Sequence, residues 1–246
     1  MWSKLSAKTK SLALGIIAIF AVIVMVQVGE LMWYGGHYLK QKKTAEAFSG
    51  GTGELGSVLI VGDSTGVGVG ADNPNDSVAG LLARDGFKVK NLSVEGRYTS
   101  EIFEEIEKED GKYDLVLIFS GGIDIMWFAD LKESILFLEK TLEKANEIGD
   151  KVVLMPPGNV GLAPLFREPV GIIFTNRTAF VRKFFMEVAE EEGVIYVDLF
   201  TSSLRELFIE NPLEYFSADL VHPSSKGYEA WYLKMRDKLS TEGVWW

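Results

Sequence analysis

A serine that closes an apolar run and a histidine three residues after an aspartate are the groups in this chain whose types and spacing fit nucleophilic chemistry. Ser57-Val58-Leu59-Ile60-Val61-Gly62-Asp63-Ser64 reads as a buried strand broken at Gly62-Asp63, the way a serine hydroxyl is presented at the top of a parallel sheet. Serine is a poor nucleophile until a base takes its proton. Asp219-Leu220-Val221-His222-Pro223 supplies one, at a spacing that lets a single loop hold the imidazole and its tautomer. The other histidine, His37, lies beside the N-terminal apolar segment, so His222 is the candidate base.

Composition narrows the chemistry further. The chain has 246 residues and no cysteine, which excludes thiol catalysis, disulfides and cysteine-ligated metals. A single domain histidine leaves only carboxylates for a metal, so no metal and no cofactor is expected. The acidic run from Glu101 to Glu107 reads as a solvated helix face with an apolar stripe. The Gly-rich segment Thr65 to Gly70 lacks the Gly-Lys-Ser/Thr ending of a phosphate-binding loop.

Leu12 to Val28 is apolar except for Gln27, and Trp33-Tyr34 follows as an interfacial aromatic pair. A membrane helix is expected across residues 12–32. No small-residue cleavage site follows closely, so an uncleaved anchor is the better reading than a signal peptide. Lys4, Lys8 and Lys10 precede the helix, and Lys40, Lys42 and Lys43 follow it. The α-amine and the closer spacing of the first group favour the N-terminus inside and the domain outside. Residues 1–43 hold six lysines and one glutamate, which leaves 19 basic against 34 acidic residues and a formal net of −15 for the rest. Such a surface makes nucleic acid a poor partner.

The expected organisation is an anchor over 1–43, a linker over 44–56 that contains Ser49-Gly50-Gly51-Thr52-Gly53, and one domain over 57–246. Within the domain, strand and helix patterns alternate, the signature of a doubly wound α/β sheet. Five strands are expected at 58–61, 87–92, 115–119, 152–155 and 194–197. Helices are expected at 77–84, 100–108, 131–148, 178–191 and 224–238, the third with Leu131, Ile135, Leu138 and Leu142 on one face. The near-continuous apolar strands argue for a parallel sheet covered on both sides. Ligands of such sheets bind at the carboxyl ends of the strands. Ser64, Gly96, Gly121-Gly122-Ile123-Asp124 and Asn159 each follow one strand.

These pieces, Gly62-Asp63-Ser64, Gly96, Gly121-Gly122-Ile123-Asp124 and Asp219-Leu220-Val221-His222-Pro223, stand in the order of the SGNH or GDSL-type hydrolases, which the chain resembles from about Ser57 to Lys238. The resemblance implies a flavodoxin-like five-stranded fold and an esterase or acylhydrolase of the bacterial envelope. It implies Ser64 as nucleophile, His222 as general base and acid, and Asp219 as the group that orients His222. The backbone N–H groups of Ser64 and Gly96 would face the oxyanion. The chain departs from the family at Ile123, where an asparagine usually supplies a third oxyanion donor. Asn159 is the candidate replacement.

The expected activity is cleavage of a lipid, O-acetyl glycan or small ester through an acyl-Ser64 intermediate. A catalytically weak glycan- or lipid-binding module is the alternative that Ile123 raises. Asp63 and Asp124 are expected to brace their loops. Trp127 and Phe128 are expected either at the cleft or in the core, and Arg167, Arg177 and Arg182 either on a helix surface or flanking the cleft.

Overall fold

A computed structural model describes residues 6–41 and 45–244. Lys4, Lys42 and Lys43, used above to orient the anchor, lie outside the described residues. Helix α1 runs from Ala7 to Gln41, and Ala7–Gly29 is long and apolar enough to cross a membrane. The rest is a parallel sheet with helices on both faces. Its strands are β1 (Ser57–Gly62), β2 (Lys88–Asn91), β3 (Tyr113–Phe119), β4 (Gly149–Leu154) and β5 (Ile195–Tyr196). Among the described residues they form one sheet in the order β2-β1-β3-β4-β5, the doubly wound topology expected.

Side chains alternate across a strand, so each central strand supplies both cores. Val58 and Ile60 face one apolar cluster, together with Leu115, Leu117, Tyr228 and Met235. Leu59 and Val61 face the other, with Val116, Ile118, Leu142 and Phe185. Helices α3 (Val78–Arg84) and α10 (Ser225–Thr241) cover the first face. Helices α4 (Thr99–Ile106), α6 (Leu131–Ile148) and α7 (Val170–Glu191) cover the second. In α6 the expected stripe holds: Leu138 and Leu142 are fully buried and Leu131 and Ile135 pack at its margin. Asp130 caps that helix, accepting from the N–H groups of Lys132 and Glu133.

Four short helices were not foreseen in the sequence pattern. They are α2 (Ser64–Val67), α5 (Gly122–Met126), α8 (Ser202–Glu210) and α9 (Pro212–Tyr215). Helix α7 also begins eight residues before the expected start. The expected linker differs too. Gly50 and Val89 exchange backbone hydrogen bonds of 3.0 and 2.7 Å, Ser49 Oγ accepts from Asn91 N–H, and Phe48 packs against the core. Residues 48–50 are therefore an added edge on β2 rather than a free tether, because the open side of β2 offers unpaired donors and acceptors.

Candidate active site

Strand β1 ends at Gly62, where a Cβ would lie 2.6 Å from Phe119 Cβ and from the Phe119 carbonyl oxygen. Only glycine lets the chain turn that closely past β3. Asp63 follows as the cap of α2, its Oδ1 accepting from Thr65 N–H at 2.9 Å and from Thr65 Oγ at 2.6 Å. Burial raises the Asp63 carboxyl above its ordinary value. The Thr65 hydrogen bonds, the nearby His222 and the Gly122 N–H pull the other way. Asp63 thus ties the serine turn to the Gly121-Gly122 turn, the bracing role expected of it.

Ser64 opens α2 and is 6 % exposed. Its Oγ lies 2.8 Å from His222 Nε2, and His222 Nδ1 lies 2.7 Å from Asp219 Oδ2. The histidine loop is held from several directions. Asp219 Oδ1 accepts from Ser217 Oγ, Val221 N–H and His222 N–H at 2.7, 2.8 and 2.9 Å. Ser217 N–H in turn donates to the His222 carbonyl oxygen at 2.8 Å. Leu220 adopts a left-handed φ of 63° to close this turn, a conformation that branched and bulky residues avoid. Burial alone would raise the Asp219 carboxyl. The hydrogen bond from His222, its charge and the two backbone donors outweigh burial and bring Asp219 down to about 2.

The other sequence candidates lie around this chain of hydrogen bonds. Gly96 has a φ of 79° with open space where a Cβ would be, so its main chain faces the cleft. Ile123 lies in the first turn of α5 and also lines the cleft. Asn159 lines it too, as the cap of the short 3-10 turn Val160–Leu162. Its Oδ1 accepts from Gly161 N–H and Thr175 Oγ, both at 3.0 Å, so Nδ2 is the end left to donate. Asp124, within α5, is buried and accepts from Thr99 N–H and Thr99 Oγ at one oxygen and from Ser134 Oγ at the other. It braces.

Trp127 is an exposed wall of the cleft, whereas Phe128 is exposed and packs on Phe174. Arg177 donates to the Ala129 carbonyl oxygen and Arg182 pairs with Asp198, which commits both to the scaffold.

Sequence reasoning missed most of the wall. The cleft has a volume of 740 Å³ and is lined chiefly by apolar side chains, among them Leu162, Phe166, Phe174, Leu204, Phe208 and Trp231. The one signal was the recurrence of phenylalanine at 166, 174, 200, 208 and 216, outside every strand and helix expected from the pattern. Glu95, beside Gly96, lines the cleft as well, its carboxyl raised by burial and by Asp219 against the lowering effect of His222.

Residues 60–230 match the GDSL-like lipase/acylhydrolase family. No curated protein sequence matches the chain. Among solved structures the chain is similar to the acetylxylan esterase Axe2 from Geobacillus stearothermophilus, at 19 % identity and a TM-score of 0.56, over 78 % of this chain and 96 % of that one. It is also similar to TesA, at 21 % and 0.55, over 75 % and 98 %. The psychrotrophic esterase EstA from Pseudoalteromonas sp. aligns at 18 % and 0.53, over 76 % and 97 %. At these identities the structural likeness concerns the fold.

Proposed function

We propose, for a chain that belongs to the GDSL-like lipase/acylhydrolase family and is an ester-bond hydrolase, that it is a membrane-anchored serine esterase with Ser64, His222 and Asp219 as its catalytic groups. The observation that carries the reading is the unbroken relay Ser64 Oγ, His222 Nε2, His222 Nδ1, Asp219 Oδ2, with contacts of 2.8 and 2.7 Å, on the wall of an apolar cleft.

In this reading His222 Nε2 takes the Ser64 proton as Oγ bonds to the ester carbonyl carbon. The electron pair moves to the carbonyl oxygen, which the N–H groups of Ser64 and Gly96 meet, with Asn159 Nδ2 as the candidate third donor. The intermediate collapses, the bond to the alcohol oxygen breaks, and that oxygen leaves with the proton held by His222. Water then loses a proton to His222 as its oxygen bonds to the acyl carbon; the bond from that carbon to Ser64 Oγ breaks, His222 returns the proton to Oγ, and the acid leaves. Asp219 keeps Nδ1 protonated throughout, so that Nε2 is the basic nitrogen.

Anchoring rests on the apolar span Ala7–Gly29. Lys4, Lys8 and Lys10, ahead of the apolar run that starts at Leu12, favour a domain on the far side of the membrane from the N-terminus. The test is labelling of the full chain in detergent with a fluorophosphonate, beside p-nitrophenyl acetate hydrolysis. The unaltered chain should label once and turn over, and Ser64→Ala should do neither. Equal labelling of Ser64→Ala would overturn the reading.

A further inference from the structure

Helix α1 reaches the hydrolytic lobe at two points. Gln27, the polar residue of the apolar run from Leu12 to Val28, is 8 % exposed, and its Nε2 donates to the Glu168 carbonyl oxygen at 3.0 Å, just before α7. The span residues around it are mostly exposed, so the contact is a directed one and not general burial of the helix. Gln27 Oε1 is itself buried without a partner. Five residues further on, Met32 stands on the wall of the cleft that contains Ser64 and His222.

The helix rises about 1.5 Å per residue, so Met32 lies about 5 Å beyond Gly29, where the apolar span ends. A span seated in a bilayer therefore brings the mouth of the cleft to headgroup depth. The surface beside the contact is suited to that depth: Trp127, Phe128, Ile172 and Ile173 are all exposed, and the two isoleucines lie in the first turn of the helix that Gln27 pins. Exposed tryptophan and exposed large apolar side chains are marks of a membrane interface. Behind the rim, the 740 Å³ of apolar space is within the range of pockets that enclose extended organic ligands. An acetyl group would leave most of it unused.

We propose that α1 forms one lip of the cleft, with Met32 at the lip and Gln27 fixing the helix to the domain, and that the substrate is a long-chain acyl ester entering from the bilayer. This rests on the serine-esterase reading above and names its substrate class.

The experiment uses the full chain in phosphatidylcholine/phosphatidylglycerol vesicles. One substrate is 4-methylumbelliferyl oleate dissolved in the same bilayer, and the others are water-soluble p-nitrophenyl esters from acetyl to octanoyl. In the unaltered chain kcat/KM should rise about threefold to fourfold per methylene along the soluble series, the factor that follows from burying one CH₂ in apolar surroundings. Gln27→Leu keeps the span apolar but removes the tie to Glu168. It should lower oleate hydrolysis at least about tenfold while p-nitrophenyl acetate hydrolysis stays within about twofold. Met32→Glu should lower the ratio of oleate to acetate turnover in the same direction.

A flat or falling series, or an unchanged ratio in both variants, overturns the proposal, and continued acetate hydrolysis then leaves the esterase reading standing. Loss of acetate hydrolysis together with loss of fluorophosphonate labelling in the unaltered chain overturns both.

Discussion

Asp219 divides its carboxylate between two tasks: one oxygen faces His222 Nδ1, and the other gathers three donors that shape the loop. Its depression from 3.8 to about 2 is therefore also a statement about stability. A carboxylate whose folded pKa is lowered contributes fully above its unfolded value and loses that contribution as pH falls through the folded one. Asp219→Asn should cost about 2 kcal/mol of unfolding free energy at pH 7. The gap from the unaltered protein should close between about pH 4 and 2, read by urea melts at each pH.

His222→Ala should reduce kcat by about 10³-fold or more. Ile123 and Asn159 give the third test at this scale. Should Asn159 Nδ2 supply the third donor, Asn159→Ala lowers kcat by about 10²-fold and Ile123→Asn gains nothing. The reverse outcome, a gain of up to about 10²-fold in Ile123→Asn, would show that the donor is missing.

Asp219 and His222 were legible as a pair because three positions of one loop separate them, and Ser64 because it closes an apolar strand. The meeting of Ser64 with His222, 158 positions away, was implied by the family order of the motifs and not by any local rule. Glu95 and the cleft phenylalanines were not legible, since only the fold decides which apolar side chains line a space and which fill it.

At the scale of elements, all five strands were legible, with ends placed to within three residues. Near-continuous apolar strands such as Val58–Val61 and Leu115–Phe119 have a single reading once glycine turns bound them. The start of α7 was hidden because Ile172, Ile173 and Phe174 are consecutive and apolar, which erases the 3.6-residue pattern; two of the three are exposed. Helices α2, α5 and α9 have only four or five residues, too few for a periodicity to show.

The junction of β1 and α2 makes an element-scale prediction. A Cβ at Gly62 would meet backbone and Cβ atoms of the central strand β3, which cannot swing aside. Gly62→Ala should therefore destabilise the fold by about 1–3 kcal/mol. A Cβ at Gly66 would meet Ser93 Oγ at 2.3 Å, the end of a rotatable side chain, so Gly66→Ala should cost less. Denaturant midpoints of the two variants rank them.

For the molecule as a whole, the boundary between anchor and domain is where sequence and structure part. Glycines and serines at 49–53 have the composition of a loose tether, yet backbone pairing with an open strand edge needs no side-chain signature. A full chain that resists carbonate extraction is expected from the span, and a chain beginning at Ala45 should be soluble without detergent. A chain beginning at Gly53 should also be soluble but at least about 1 kcal/mol less stable, having lost Phe48, the Ser49 contact and the Gly50–Val89 pair. Thermal melts of the two shortened chains decide this.

On the membrane-anchored reading proposed above, the same pairing bears on life in a crowded plane. Proteins tethered to one surface meet far more often than in solution, and a parallel sheet has two outer strands that can recruit a neighbour's backbone. Here the chain segment arriving from the anchor occupies positions beside β2, while β5 at the opposite margin is two residues long. Neither border is a long, open template, so the sheet resists edge-to-edge aggregation where neighbours are most abundant.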